Sequence, residues 1–345
     1  MEDKVISKAD FSSMVDRLIQ EGEYDSIEGV KTKDGKYFFG PLTNSGELCL
    51  DYDVTLLPPK KYFLPQRETV ITFRQGERPA PEPVAEASSV VLIGVHPYDL
   101  KAMELCEAVY SAPPADPNLM IRKSKTVVIG VDCLNPNPQS FSASMGFATT
   151  ESGYDLMLTD IGDSYVVSVG TDRGADLLAR YGRAADATAT DLARRDEVRE
   201  MSLGRYEKSL SMPADEIPAI LNETWDSRVF AEKSEVCLSC GSCVMVCPTC
   251  VCFDVEDTVA LSLDSGERYR KWDGCMLTEF AKVATGENFR EDRESRFRHR
   301  MYRKGKYLLE RYDQPGCVGC GRCGLACLVD IALPADTYNL LKEAS

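Results

Sequence analysis

Cysteine is the residue type in this sequence whose spacing most clearly indicates chemistry. Of the 14 cysteines, 11 fall between positions 237 and 327. Two runs within this stretch share the spacing Cys-x2-Cys-x2-Cys-x3-Cys. Their members are Cys237, Cys240, Cys243 and Cys247 in the first run, and Cys317, Cys320, Cys323 and Cys327 in the second. Thiols at such regular, short intervals indicate metal or redox chemistry.

This spacing is typical of bacterial ferredoxins and predicts two cubane [4Fe–4S] clusters. Three thiolates on a tight loop can bind three corners of one cluster, and Gly241 and Gly321 let the backbone approach the sulfides. The fourth cysteine begins a helix that leads away, so it ligates the other cluster. We therefore expect one cluster on Cys237, Cys240, Cys243 and Cys327, and the other on Cys247, Cys317, Cys320 and Cys323.

Two alternatives concern the same part of the chain. Paired Cys-x2-Cys units also build zinc ribbons, which would make this a zinc-stabilised interaction module, although triplets with a distant fourth cysteine favour iron–sulfur clusters. Cys250, Cys252 and Cys275 are left over. They either serve a third cluster with one further ligand, such as Cys133, or pack as small hydrophobic residues beside the two clusters.

The length and the cysteine distribution predict how the chain is divided. At about 150 residues per domain, a chain of 345 residues holds two or three domains. We interpret residues 1–230 as an N-terminal α+β or α/β domain. Residues 231–345 are predicted to be a C-terminal ferredoxin-like 2[4Fe–4S] dicluster domain with a long basic insert over residues 253–316.

Charge and hydropathy exclude several classes of protein. The net charge is −15, whereas a nucleic-acid surface needs clustered positive charge. The longest apolar runs have five or six residues, and a membrane span needs about 20. No secretory signal opens the sequence. We therefore expect a cytoplasmic protein with reduced cysteines, without a nucleic-acid partner and without a membrane span.

The elements that could position a second site lie in the N-terminal part. Buried strands are predicted over residues 90–95 and 126–131, with a helix over residues 99–110 between them, which is typical of a parallel strand pair. The two strands are followed by His96 and by Asp132-Cys133. Ligands bind at the carboxyl ends of such strands, so this edge motivates an alternative function, a stand-alone flavin-dependent reductase.

Further elements follow from apolar periodicity and turn residues. They are a helix over residues 8–20, short antiparallel strands over 24–73, a surface loop over 74–88, a hairpin over 154–169, and helices over 175–210 and 216–230. The insert ends in residues 289–312, a predicted helix with nine Arg or Lys against four Asp or Glu. This basic stretch is either a solvated face, a docking strip for an acidic partner, or positive charge that raises the reduction potential of a nearby cluster.

Several motifs together carry a resemblance to a known family. They are residues 237–257 with the first cysteine run, Trp272-Asp-Gly-Cys275, Gly286-Glu-Asn-Phe-Arg290, the basic stretch, the second run, and residues 94–101, 144–146 and 153–156. With these motifs the chain resembles the β, iron–sulfur subunit of cytoplasmic NAD(P)-linked [NiFe] hydrogenases (sulfhydrogenases) and the corresponding iron–sulfur subunit of anaerobic sulfite reductases. The resemblance covers most of the chain.

The resemblance implies an electron-transfer subunit with two [4Fe–4S] clusters. Such a subunit relays electrons between a flavin- and NAD(P)H-binding reductase subunit and a catalytic subunit of a hydrogenase, a sulfite reductase or a heterodisulfide-reductase-type complex. The residues themselves show no acid–base or nucleophile constellation, and the only histidines are His96 and His299. We therefore predict no catalytic residue in this chain.

The sequence departs from the family pattern in three places. Relatives often carry two more cysteines where residues 139–142 read Gln-Ser-Phe-Ser, and Arg-Pro-Cys-Asp where residues 96–99 read His-Pro-Tyr-Asp. These departures bring into question any cluster that the family has in its first domain. Leu328 replaces the proline that usually follows the second run, and we expect only a local change in the turn there.

Overall fold

The fold is described by a computed structural model over residues 3–74, 81–85 and 87–345. The strands are β1 (Lys4–Ser7), β2 (Ser26–Lys33), β3 (Lys36–Pro41), β4 (Arg67–Arg74), β5 (Pro81–Pro83), β6 (Val90–Val95), β7 (Thr126–Val131), β8 (Leu156–Asp160), β9 (Ser164–Val169), β10 (Ala185–Asp186), β11 (Phe253–Val259) and β12 (Ser265–Trp272). The α-helices are α1 (Lys8–Glu21), α2 (Pro97–Ser111), α3 (Pro117–Lys125), α4 (Asp172–Tyr181), α5 (Ala189–Leu203), α6 (Ile217–Glu223), α7 (Arg228–Glu235), α8 (Ser242–Met245), α9 (Arg293–Tyr302), α10 (Leu308–Tyr312), α11 (Arg322–Leu325) and α12 (Pro334–Ala344). Among these residues, no helix is both long enough and apolar enough to cross a membrane.

The N-terminal part is built on an eight-stranded sheet with the order β10-β1-β9-β8-β7-β6-β2-β3. Its central strands β2, β6, β7 and β8 are parallel neighbours, and the outer pairs are antiparallel. Parallel strands need a long crossover, and α2 and α3 supply it between β6 and β7. Nearly every residue of β6 and β7 is buried, as expected for parallel strands. The predicted parallel pair is confirmed.

Local residues explain where α1 begins and ends. The Ser7 hydroxyl accepts a hydrogen bond from the Asp10 backbone N–H at 3.0 Å, which caps the first turn. Gly22 ends the helix in the left-handed conformation, with φ at 63°. Between these caps, Phe11 and Leu18 belong to the buried apolar face. The helix predicted over residues 8–20 is therefore confirmed.

A second sheet connects the basic insert to the N-terminal part. Its order is β11-β12-β4-β5, and all its pairs are antiparallel. Arg270 of β12 is buried and forms ion pairs with Glu68 of β4 and with Asp116, which caps α3. The insert is thus fastened to Glu68 and Asp116, which precede Arg270 by 202 and 154 positions.

Among the described residues, the two largest of four hydrophobic clusters are the cores of the N-terminal and C-terminal parts. The first packs the large sheet and includes residues from Ile6 to Tyr181. The second surrounds the cysteine runs, and it also takes Phe141, Met145 and apolar residues of α6 and α7. Residues 212–230 therefore pack with the C-terminal part in this structure. The division into residues 1–230 and 231–345 stays a prediction about units that fold separately.

Several predicted elements are corrected by the structure. The helix expected over residues 175–210 is two helices, α4 and α5, because the chain turns after Gly182 and pairs β10 with β1. The helix expected over 216–230 breaks between α6 and α7, where Ser227 caps α7. The antiparallel layer over 24–73 is correct only for the β2–β3 hairpin, since β2 is parallel to β6 and β4 joins the second sheet.

Other predictions fare differently. The hairpin over residues 154–169 is confirmed by β8 and β9. Within the predicted surface loop over residues 74–88, residues 75–80 and 86 lie outside the described residues, and β5 occupies residues 81–83. The helix predicted over residues 99–110 is α2, which starts two residues earlier at Pro97. Proline is suited to that position because its missing N–H would have no partner there.

Candidate metal centres

The first cavity collects four cysteines from both runs. Cys237, Cys240, Cys243 and Cys327 all line it. Two of these sulfurs accept a backbone N–H at 3.4 Å, Cys237 from Ser239 and Cys327 from Ile331. Such N–H donors stabilise thiolates and tune bound clusters. This group is the set expected for one cluster, including the crossed ligand from the second run.

The second cavity collects the other four cysteines. Cys247, Cys317, Cys320 and Cys323 line it, together with Arg300 and Lys304. The Cys247 Sγ lies 3.3 Å from the Thr249 hydroxyl. Burial raises the pKa of Cys317 to about 12, and it does the same for Cys243 in the first cavity. A bound metal is what would hold such buried thiols as thiolates.

The glycines of the two loops have a more specific role than was expected. Gly241 and Gly321 both have left-handed backbones, with φ at 74° and 79°. A Cβ on Gly321 would lie 2.5 Å from the Asn137 amide oxygen and 2.7 Å from the Ser140 nitrogen. Glycine is therefore needed at position 321 for the turn and for the close approach of the loop around residues 137–140.

The basic stretch places positive charge at both cavities. Arg296, Arg300 and Lys304 recur at four-residue intervals and are all buried. Arg300 lines both cavities, and its Nη1 donates to the Ala332 carbonyl at 2.8 Å. Its buried Nε has no hydrogen-bond partner among the described residues. An unpartnered guanidinium donor between two sets of four cysteines fits an anionic metal centre at either side.

Lys304 is held against the second cavity. Its Nζ donates to the Thr249 hydroxyl at 2.6 Å, and that hydroxyl donates to the Gly316 carbonyl at 2.7 Å. Burial opposes the charge on Lys304, but the neighbouring thiolates outweigh burial and raise its pKa. These contacts favour, for Arg300 and Lys304, the interpretation of the basic stretch as positive charge beside a cluster. The docking-strip alternative stays untested for its outward-facing residues.

The N-terminal part binds the second cysteine loop through buried polar groups. Arg322, between Cys320 and Cys323, forms a two-pronged ion pair with Asp99 at 2.7 and 2.6 Å. Burial raises the pKa of Asp99, although Arg322 acts in the opposite direction. Lys60 donates to the backbone carbonyl oxygens of Cys247 and Cys250, at 3.0 and 2.7 Å. Asp99 and Lys60 were not foreseen from the sequence, because their partners lie more than 180 positions away.

The remaining cysteines are divided among different places. Cys250 and Cys252 line a small cavity with Tyr110, Arg270 and Trp272 among others. Cys275 packs in the second core, and Cys133 lies in a separate buried cluster with Tyr98, Val318 and Cys320. Only Cys133 is thus apart, because Cys250 also packs against the second core that holds Cys275. The packing alternative and a third cluster on Cys250, Cys252 and Cys275 both stay predictions.

The predicted ligand edge of the large sheet is closed by aromatic rings. His96 is fully buried, stacks on Tyr52 with ring centres 4.0 Å apart, and its Nδ1 lies 2.6 Å from the Tyr98 hydroxyl. Burial, and then the charge of Arg322, holds the pKa of His96 well below its usual value. His96 and Cys133 are thus packing residues behind the second cavity.

Comparisons with known proteins agree with this geometry. A family model described as a 4Fe-4S dicluster domain matches residues 236–331. The chain is also similar to Sulfhydrogenase 2 subunit beta of Pyrococcus furiosus, with 32% identity over 321 residues, which is 92% of each chain. The fold is therefore a mixed α/β structure with a C-terminal dicluster domain. The protein is an iron–sulfur electron-transfer subunit that carries 4Fe–4S clusters.

Proposed function

Because this chain belongs to the family of sulfhydrogenase beta subunits, we propose that it relays electrons between a flavin- and NAD(P)H-binding reductase subunit and a catalytic oxidoreductase subunit. The catalytic partner is of the hydrogenase, sulfite reductase or heterodisulfide-reductase type, and the complex is cytoplasmic. The observation that carries the proposal is the division of eight cysteines into two neighbouring cavities with four in each.

The proposed ligand sets follow this division. Cys237, Cys240, Cys243 and Cys327 hold one [4Fe–4S] cluster, and Cys247, Cys317, Cys320 and Cys323 hold the other. A bound cluster supplies reversible one-electron chemistry. The chain supplies the sulfur ligands and the N–H donors of Ser239 and Ile331. Arg300 lies between both sites, so its charge favours the reduced state of each.

The first experiment is a metal analysis of the protein purified without oxygen. About eight iron atoms and eight acid-labile sulfides per chain are expected for two [4Fe–4S] clusters. About twelve of each would add a third cluster and would bring in Cys250, Cys252 and Cys275. Stoichiometric zinc with almost no iron would overturn the proposal and favour an interaction module.

The relay itself is tested by Cys320→Ser. We expect loss or damage of one cluster and a block of electron flow between the partner subunits. A matched control is Cys49→Ser, because Cys49 lies at the edge of the first core and its thiol donates to the Asp51 carbonyl, away from both cavities. Unchanged physiological turnover by the Cys320→Ser complex would contradict the proposal.

A further inference from the structure

The two cysteine loops are two copies of one backbone shape. Ser239 and Gly319 occupy equivalent positions and both have positive φ, at 52° and 70°. Gly241 and Gly321, two residues later, agree within a few degrees, at 74° and 79°. Each pair is followed by a four-residue helix, α8 or α11. The outer face of one loop can therefore be compared residue by residue with that of the other.

The outer face of the second loop is covered by the chain itself. Residues 318–324 are all buried. The Gly319 carbonyl accepts from the Phe141 backbone N–H at 2.8 Å and from the Ser140 hydroxyl at 3.1 Å. Asn137 donates to the Cys320 carbonyl at 2.9 Å. The N-terminal part thus seals this loop from solvent.

The same face of the first loop is covered only in part, because Leu277 packs against Gly241 and Arg296 donates to the Ser239 hydroxyl at 2.9 Å. Cys240, which corresponds to the buried Cys320, is exposed. Leu238 is 56% exposed and Leu328 is 82% exposed, and both line the first cavity beside its cysteines. Val236 and Leu325 are each 52% exposed. Leu238, Cys240 and Leu328 line the cavity, and Val236 and Leu325 lie within three residues of them in sequence. We call these five residues the outer face of the first cavity. Such a group of exposed apolar side chains marks an interaction surface.

We propose that this outer face is the docking surface of a permanently bound subunit that carries a redox centre of its own, and that electrons cross between the two chains there. This inference rests on the proposed function. The exposed ligand Cys240 is at the surface, whereas the cysteines of the second cavity lie behind the N-terminal part. Of the two cavities, the first is therefore the one that the redox centre of a partner subunit can approach.

The composition of the face favours a permanent partner. Stable subunit interfaces are more hydrophobic, whereas short-lived electron-transfer encounters are small and steered by charge. The face offers four aliphatic side chains, and Ser242 stands where the covered loop has the charged Arg322. Exposed charges of both signs lie beside it, the acidic Glu235 and Asp330 and the basic Arg293, whose Nη1 donates to the Glu235 carbonyl at 3.1 Å. No single sign of charge is therefore offered to steer a soluble carrier. A partner with an apolar, uncharged contact surface fits best.

The test introduces one charge into the face of the assembled complex. Leu328→Asp is compared with Leu261→Asp, whose leucine is fully exposed in the turn between β11 and β12. The complex is isolated from its native host through a tag on this chain, and its subunits and their flavin and iron are quantified. We expect Leu328→Asp to retain at least tenfold less of one redox-centre subunit. Val236→Asp, at a residue that lines neither cavity, should do the same with the iron of this chain unchanged. The Leu261→Asp complex and the wild-type complex in 0.5 M NaCl should stay intact.

Four outcomes would overturn the inference. Two are an intact Leu328→Asp complex and an equal loss of the redox-centre subunit from the Leu261→Asp complex. The others are release of a subunit without any redox centre, and a wild-type dimer of this chain that Leu328→Asp makes monomeric. Dissociation of the wild-type complex by salt alone would point to a charge-steered encounter instead. Failure of the proposed function is separate, since it would show as absent clusters or absent electron flow in the wild-type complex.

Discussion

The two cavities share their cysteine spacing but differ in their buried positive charge. Within the described residues, Arg300 is the cation that lines the first cavity, whereas the second is lined by both Arg300 and Lys304. Lys60 adds a further buried ammonium at the Cys247 carbonyl. The first loop has the buried Arg296 at the Ser239 hydroxyl, and the second has Arg322, whose charge is paired by Asp99. Lys304 and Lys60 therefore make the difference in positive charge.

This difference shows that the type of an iron–sulfur centre and its reduction potential depend on different residues. The cysteine spacing decides which kind of metal centre forms, and the surrounding charges decide how readily it is reduced. In a low-dielectric interior, a nearby cation favours the more negative, reduced state. We therefore expect the cluster of the second cavity to have the higher reduction potential.

The largest effect is expected from substitutions of the cysteines that are assigned to one cavity or the other. Cys327→Ala and Cys240→Ala should each remove the first-cavity cluster and leave the same surviving EPR signal and potential. Cys247→Ala should leave the other signal, because Cys247 lines the second cavity although it belongs to the first run. Each variant should lose about half of the iron. The crossed assignment would be wrong if Cys247→Ala left the same surviving signal as Cys240→Ala, and Cys327→Ala left the other one.

The next effect removes the ion pair that only the second loop has. Asp99→Ala leaves the buried Arg322 without its carboxylate, and breaking such a pair costs about 3–5 kcal/mol of folding free energy. Chemical denaturation followed by cluster absorbance and far-ultraviolet circular dichroism measures it. The double variant Asp99→Leu with Arg322→Met is the control, since removing both partners of a buried pair is often close to neutral. A single variant as stable as the wild type would count against the buried pair.

A smaller effect sharpens the electrostatic comparison. Lys304→Met should lower the potential of the second-cavity cluster by on the order of 60 mV, which corresponds to ~1.4 kcal/mol for one electron, and leave the first unchanged. Arg300→Gln should lower both potentials, because Arg300 lines both cavities. Redox titration with EPR detection separates the two signals. Arg311→Met is the control, since Arg311 is exposed on the same helical stretch; an equal shift there would refute a local effect.

The smallest effect concerns the one histidine of the basic stretch. Burial, and then the charges of Arg290 and Arg303, lowers the pKa of His299 to about 4. His299 is therefore neutral in the folded protein above that pH, and His299→Gln should change neither potential between pH 6 and 8. Its lowered pKa means that the unfolded chain binds the proton first as pH falls from about 6.5. Wild-type stability should then decline toward pH 4 more steeply than that of His299→Gln, as measured by denaturation at each pH.

Sequence alone predicts the parts of this molecule that depend on local spacing. The cysteine runs, α1 and the parallel pair β6 and β7 follow from intervals within a few residues. The break between α4 and α5 does not, because it depends on β10 pairing with β1 from the start of the chain. The basic stretch shows the limit most clearly. Its charge count left three interpretations open, a solvated face, a docking strip and positive charge beside a cluster. The four-residue recurrence of Arg296, Arg300 and Lys304 was the available signal of an inward face.

The exchange of cysteines between the two runs has a consequence for biosynthesis. Each cavity takes one cysteine from the other run, Cys327 in the first and Cys247 in the second. A nascent chain that has not yet emerged beyond residue 327 therefore lacks the full set of thiols for the first cavity. Iron delivery to the second cavity must wait until residue 323 has left the ribosome, and delivery to the first until residue 327 has done so. A truncated product from an interrupted message would fail to load both centres and would be left to proteases.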